Sequence, residues 1–331
     1  MPQSPADLRR RLLLSAGLAA AAGAAARPVF AQAAWPAQPV RLVVNFPPGS
    51  SPDVLARLVS TPLQQALGQP VVVDNRAGAS GMIGAEAVAK AAPDGYTLLM
   101  TAGSAITTNP FIYPRMPYDA ERDLTPVAAL ARLVLTLVVR ADLPARDVRE
   151  FIAYLKANPG KLSYGSAGNA TGLHLAGEML KSQAGVYAVH VPYRGASLAL
   201  QDLLGGQIDF YFDPGIAVPH VRSGRLRVLA IGGKRRSATY PDVPTLEEAG
   251  LPGFDAGTTH GIYAPARTPP EVVARLNREI NRILSTPAVR SQIDGLGAEA
   301  TPLSVEQFAA VMKDDSRRYA EVIRRQGIKA D

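Results

Sequence analysis

Short apolar runs alternate along this chain with longer stretches whose apolar positions recur every three or four residues. Residues 40–46 read as a buried strand, and Pro47-Pro48-Gly49-Ser50-Ser51 as the loop after it. In 54–67, Val54, Leu55, Leu58, Val59 and Leu63 fall at helical spacing, with Pro62 expected to bend the helix. Residues 71–73 form a second strand, 83–91 a helix and 96–101 a third strand. Strands alternating with helices across short loops predict parallel βαβ units with right-handed crossovers. The same grammar restarts near residue 133. Strands are expected at 133–140, 162–166, 188–191, 208–212 and 226–231, and helices at 148–157, 173–183 and 197–204. After Pro252-Gly253 come a strand at 261–264 and two helices, 270–284 and 305–326. The pattern predicts an α/β chain of two lobes, each a mostly parallel sheet flanked by helices. Residues 34–132 plus 257–331 make lobe 1 and residues 133–256 lobe 2, with two hinge crossings near 132 and 256. No tandem repeat of 20–50 residues interrupts this reading.

The first 33 residues fall outside that grammar. Arg9, Arg10 and Arg11 precede an apolar, Ala-rich run over 12–26, and Ala31-Gln32-Ala33 supplies small residues for a cleavage site. This is the layout of an export signal peptide. The run is shorter than the ~20 residues of a membrane span. The predicted location is therefore the periplasm. The arginines also hint at a twin-arginine signal, although Asp7-Leu8 stands where a small polar residue precedes the usual pair.

Charge and cysteine content narrow the partners. The net charge of +7 falls to +4 without residues 1–33, which carry four Arg and one Asp. Lys234-Arg235-Arg236 is the longest basic run in the remainder, so neither nucleic acid nor stable membrane insertion is expected. With no cysteine, the chain has no disulfide framework and no thiolate metal site.

Chemistry in such a fold belongs to loops at the carboxyl ends of strands. Four loops share one design: Gly49-Ser50-Ser51-Pro52-Asp53, Gly78-Ala79-Ser80-Gly81, Gly165-Ser166-Ala167-Gly168-Asn169-Ala170-Thr171 and Arg194-Gly195-Ala196-Ser197. Each leads into a helix. Glycine admits close backbone approach, hydroxyls donate, and a helix start offers unpaired N–H groups. Together they make an anion site without Lys or Arg. Catalytic patterns are weaker. No Gly-x-Ser-x-Gly elbow or Walker loop occurs, and Gly78-x-x-Gly81-x-x-Gly84 lacks the Gly-x-Gly opening of a dinucleotide fingerprint. His174, His190, His220 and His260 show no metal-ligand spacing. Neither cofactor nor metal is expected. A binding protein and an enzyme of a doubly wound fold both remain open from the residues alone.

A series of segments, in order along the chain, resembles the Bug family, also called TctC-like. They include Phe46-Pro47-Pro48-Gly49 with Asp53 and Ala56-Arg57, then Asp74-Asn75-Arg76-Ala77-Gly78-Ala79-Ser80-Gly81, then Pro93-Asp94-Gly95-Tyr96-Thr97-Leu98-Leu99. Tyr164-Gly165-Ser166-Ala167-Gly168, His190-Val191-Pro192-Tyr193-Arg194-Gly195, Asp202-Leu203-Leu204-Gly205-Gly206 and Pro241-Asp242-Val243-Pro244-Thr245 continue it. The resemblance implies a periplasmic-binding-protein (Venus flytrap) fold closing on a small organic carboxylate. It implies a solute-binding protein, not an enzyme, that works as a monomer with the membrane subunits of a tripartite tricarboxylate transporter. A sensor presenting ligand to a membrane kinase differs only in partner. Carried over, ligand contacts fall at Pro47, Gly49, Ser50, Ser51, Ser80, Gly81 and Ser104 in the first lobe. In the second they fall at Ser166, Gly168, Asn169, Thr171, Tyr193 and Asp213. Two positions depart from the family pattern. Ser50 and Ser51 stand where a second glycine is usual, and His260 stands in place of a tryptophan; both alter the pocket.

Overall fold

The computed structural model describes residues 35–329, so the expected signal peptide over 1–33 lies outside the described residues. Residue contacts divide the chain after Ala37, and the whole fold belongs to the unit that begins at Gln38. Strands β1 (Val40–Val44), β2 (Val71–Asn75) and β3 (Thr97–Thr101) run parallel, with β1 between the other two. Helices α1 (Ser51–Leu67) and α2 (Met82–Ala89) lie between them in sequence. Val40, Leu42, Val43 and Val44 are wholly buried, as a central parallel strand covered on both faces requires. Helix α1 buries Leu55, Ala56, Val59, Leu63 and Leu67 and runs on through Pro62. It stops at Gly68, whose φ of 72° is the left-handed conformation that ends helices. The short helix α3 (Ser104–Thr107) follows β3.

Strand β4 (Leu124–Leu133) leads out of the first sheet and β5 (Thr136–Arg140) into the second. The single strand expected over 133–140 is therefore two strands in two sheets, parted at Val134 and Leu135. The apolar run is continuous in sequence because the crossing itself is buried: Leu133 and Leu135 are each at most 1% exposed. The second sheet continues with β6 (Ser163–Ser166), β7 (Val189–Pro192), β8 (Phe210–Asp213) and β9 (Leu226–Ile231). Helices α4 (Val148–Ala157), α5 (Gly172–Ala184) and α6 (Ala196–Leu204) accompany them. Strand β10 (Thr258–Pro265) returns to the first sheet between β3 and β4, antiparallel to both. The chain then forms α7 (Pro270–Leu284), α8 (Pro287–Gly295), β11 (Ala298–Ala300) and α9 (Val305–Gln326).

The sheet orders are β11-β4-β10-β3-β1-β2 and β7-β6-β8-β5-β9. Each sheet has a parallel half built by βαβ units and an antiparallel half built by the strands next to the crossings. At the crossings the Gly232 N–H donates to Leu135 O and the Ala256 N–H to Gly232 O, both at 2.7 Å. The terminal helix α9 places Phe308 and Met312 in the first-lobe core, but Tyr319 and Ile323 join Ala170 and Leu175 of the second lobe.

Candidate functional site

The parallel strands of both lobes end in loops that face one another. In the first lobe, Asp53 holds the loop after β1. Its carboxylate accepts from the Gly49 N–H at 2.9 Å, from Asn75 Nδ2 at 2.9 Å and from Arg57 Nε at 3.1 Å. Asn75 Nδ2 also donates to Phe46 O. Burial alone would raise the Asp53 carboxyl, but the bonds from Arg57, Gly49 and Asn75 outweigh it and hold it below its ordinary value. The loop at 78–81 is fixed by amides: Asn45 Nδ2 donates to Gly81 O and Asn109 Nδ2 to Ser80 O. Ser80 Oγ lies 3.0 Å from Tyr113 Oη.

Among the described residues, the non-glycine residues with left-handed backbone are Ala79, Ser80 and Ala170, which lie in facing loops of the two lobes. Such strain persists only where its surroundings enforce it, and it concentrates at functional sites. The lobes meet there. A Cβ on Gly168 would sit 3.2 Å from Ser80 Oγ, and one on Gly195 2.9 Å from Pro47 Cγ. Thr108 Oγ1 donates to Ala170 O.

Between the loops lies a cavity of about 30 Å³, room for about two waters. Its lining includes Ser51 and Pro52 of α1, Ser104 of α3, Gly172 and Leu173 of α5, and Ala196 of α6. Four helix starts, two from each lobe, therefore converge on one space, and none of them has a side-chain cap. Among the described residues, no charged side chain lines the cavity. His260 does, with Nε2 3.0 Å from Ser51 Oγ; burial pushes its imidazole down to about 3, so the ring is neutral. A larger groove of about 840 Å³ lies beside the crossings. Much of its charge is internally paired, Arg132 with Asp255 and Asp315, Arg318 with Asp315, and Arg235 with Glu299. It shares no lining residue with the cavity between the loops.

The residues expected from sequence fall into three groups. Ser50, Ser51, Ser104 and Thr171 line the cavity. Pro47, Gly49, Ser80, Gly81, Gly168 and Asn169 form the loops around it. Ser166, Tyr193 and Asp213 turn their polar atoms to the protein itself. Ser166 is wholly buried; its hydroxyl accepts from the Gly168 N–H, donates to Gly168 O and lies 2.7 Å from His190 Nε2. Tyr193 Oη donates to Asp202 at 2.6 Å. Asp213 accepts from Tyr211 Oη and from the Ile216 and Ala217 N–H groups, a cap for the turn that follows; burial pushes its carboxyl up to about 6. Phe46, Ala102, Thr258 and Leu173 line the cavity without having been expected. Their signal was adjacency: Phe46, Ala102 and Leu173 lie at or next to a strand end or helix start already singled out, and Thr258 lies two residues past the second crossing.

The arrangement is that of a two-lobed binding protein with a neutral, donor-rich pocket at its cleft. A family model described as the tripartite tricarboxylate transporter family receptor, TctC, matches residues 55–328, and the chain belongs to this family. Among solved structures, the periplasmic binding protein BugD is 34% identical, covers 90% of this chain and 100% of its own, and superposes with a TM-score of 0.83. An R. palustris protein solved with adipate is 34% identical, with 89% and 99% covered and a TM-score of 0.86. MatC from Rhodopseudomonas palustris, with bound malate, is 33% identical, with 87% and 100% covered and a TM-score of 0.83.

Proposed function

We propose that this chain is exported to the periplasm by residues 1–33 and there captures a small organic carboxylate by lobe closure. It hands the ligand, chemically unchanged, to the membrane subunits of a tripartite tricarboxylate-type transporter. The observation that carries this reading is the convergence of four helix starts without side-chain caps on a cavity lined, among the described residues, by no charged side chain. First-turn N–H groups that no side chain caps can donate to an anion, and the helix dipole adds to this. Among the described residues the lining holds no metal-ligand set, and its hydroxyl–imidazole pair, Ser51–His260, has no acidic side chain in the lining to orient the ring, which favours binding over chemistry. The adipate and malate held by relatives agree with a carboxylate.

In this reading residues 34–132 with 257–331 form one lobe, and 133–256 the other. Ser50, Ser51, Ser104 and Thr171 face the ligand. Pro47, Gly49, Ser80, Gly81, Gly168 and Asn169 shape the loops that enclose it, while Ser166, Tyr193 and Asp213 support those loops from behind. The chain acts as a monomer without cofactor. The test is a thermal-shift and calorimetric screen of mono-, di- and tricarboxylates, with the ligand recovered afterwards and analysed by NMR. Saturable binding of a carboxylate that is recovered intact is the expected result. Turnover, or binding confined to non-anionic solutes, refutes the reading.

A further inference from the structure

One corner of the cavity carries hydrogen-bonding capacity that the protein itself leaves unused. Ser51 opens α1 beyond β1, and Ser104 opens α3 beyond β3. His260 stands on β10 next to Gly261, which pairs with Thr101 at the end of β3. All three line the cavity, and all are more than nine-tenths buried. Ser51 Oγ and His260 Nε2 share one hydrogen bond. Among the described residues Ser104 Oγ has no hydrogen-bond partner, and the His260 ring has, besides Ser51, only a contact with the Thr258 backbone. Buried polar atoms in native proteins are nearly always paired. An unpaired hydroxyl beside the Ser51–His260 pair in one small cavity marks the place where a polar atom of the ligand belongs.

We propose that Ser51, Ser104 and His260 form a hydroxyl-reading subsite, so that the preferred ligand is a small carboxylate bearing a hydroxyl group. This rests on the carboxylate reading above and adds what the neutral end of the pocket selects. A neutral imidazole carries one N–H and one lone pair. If Ser51 donates to Nε2, the second ring N–H is left to the Thr258 backbone and the corner presents the lone pairs of Ser51. If Nε2–H donates to Ser51, it presents the Ser51 O–H. Either way, with the Ser104 hydroxyl free to rotate beside it, the corner offers a donor and an acceptor together. A ligand hydroxyl, which gives one hydrogen bond and accepts others, satisfies all of these. A carboxylate at this corner accepts only, and would face lone pairs with no Lys or Arg in the lining. A methylene would leave Ser104 buried and unpaired. Sites built to bond a hydroxyl discriminate strongly against the analogue that lacks it.

The test is calorimetric titration of the full chain with matched acids: butyrate against 2- and 3-hydroxybutyrate, and succinate against malate. A hydroxylated acid should bind at least tenfold more tightly than its parent. That ratio should collapse in Ser104→Ala and in His260→Leu. It should be retained better in His260→Gln, which keeps a neutral donor and acceptor; the melting transition of each variant reports its folding. Parent acids that bind as tightly as their hydroxylated partners overturn the subsite and leave the carboxylate reading standing. Failure of every acid in both series to bind overturns both. A wild-type preference that survives both Ser104→Ala and His260→Leu places the hydroxyl elsewhere and overturns this assignment. Succinate binding more tightly than malate gives the corner to a second carboxylate instead.

Discussion

Asp53 does not line the cavity, yet three donors around the first-lobe loop converge on its carboxylate. Asp53→Ala should cost about 1–3 kcal/mol of stability, because Gly49, Asn75 and Arg57 lose a buried acceptor. It should also weaken carboxylate binding; urea unfolding and calorimetry measure the two effects. A second prediction at this scale concerns pH. Burial lowers His260 to about 3 and His174 to about 4, from an ordinary 6.5. The unfolded chain then takes up these protons first, so stability is full above pH 6.5 and falls as pH drops toward 4. Asp213, pushed up to about 6 from 3.8, runs the other way, since the folded state takes its proton first as pH falls from 6 to 3.8. Two histidines outweigh one carboxyl, and the net change should be a loss. Urea midpoints at pH 7, 5.5 and 4.5 should decline in that order, and His260→Gln should flatten the decline. Residue identity also sets how far the site could be read in advance. A hydroxyl after a strand and before a helix falls on the cavity at Ser51, and Ser104, carried over from the family resemblance, falls there too. At Ser166 the same signal marks a hydroxyl consumed by its own loop and by His190. Sequence spacing does not say which way a strand-end side chain turns.

Elements were legible in proportion to their contrast. Helices α7 and α9, with charged outer faces and apolar inner stripes, run over the residues the periodicity predicts. Strand β4 was missed over residues 124–132 because Val127-Ala128-Ala129-Leu130-Ala131 is small, apolar and poor in β-branched residues, although every one of these is wholly buried. Helix α8 buries only Val289 and Ile293, too few apolar positions for periodicity to register, and β11 is three residues long. The terminal helix was expected to return to the first lobe, and it does more than that. Its Tyr319 and Ile323 share a cluster with Ala170 and Leu175 of the second lobe, whereas Phe308 sits in a cluster made of first-lobe residues alone. Phe308→Ala should therefore destabilise the fold by roughly 3–5 kcal/mol, the ordinary cost of emptying a core aromatic. Ile323→Ala should lower stability less but also weaken ligand binding, because it removes a contact made across the lobes. Melting temperatures set beside calorimetric affinities separate the two variants. Equal effects on affinity would mean that α9 does not bridge the lobes in solution.

At the scale of the whole molecule, what the strand-and-helix grammar predicted was two α/β lobes with two crossings. It was silent on how tightly they meet, which depends on contacts between residues far apart in sequence. A space of about 30 Å³ is too small for malate or adipate, so any such ligand must enter with the lobes parted. Glycines keep the present approach possible. A Cβ on Gly172 would lie 2.3 Å from Thr258 Cγ2, and one on Gly195 2.9 Å from Pro47 Cγ. In both pairs the glycine belongs to the second lobe and its neighbour to the first. Gly172 opens α5 with no backbone demand for glycine, and Gly195, at φ 174°, is in extended backbone that any residue adopts. Alanine at either position is thus tolerated within its own lobe and collides only across the cleft. Gly172→Ala and Gly195→Ala should act as wedges that hold the lobes apart. Solution scattering of the wild-type chain should show contraction when a saturating carboxylate is added. The wedged variants should contract less and bind at least tenfold more weakly, while their ligand-free melting stays close to wild type, because neither core is disturbed. Wild-type scattering unchanged by saturating ligand would sink lobe closure as the mode of capture. Wedged variants that bind as tightly as wild type would show that the lobes need not come this close to hold the ligand.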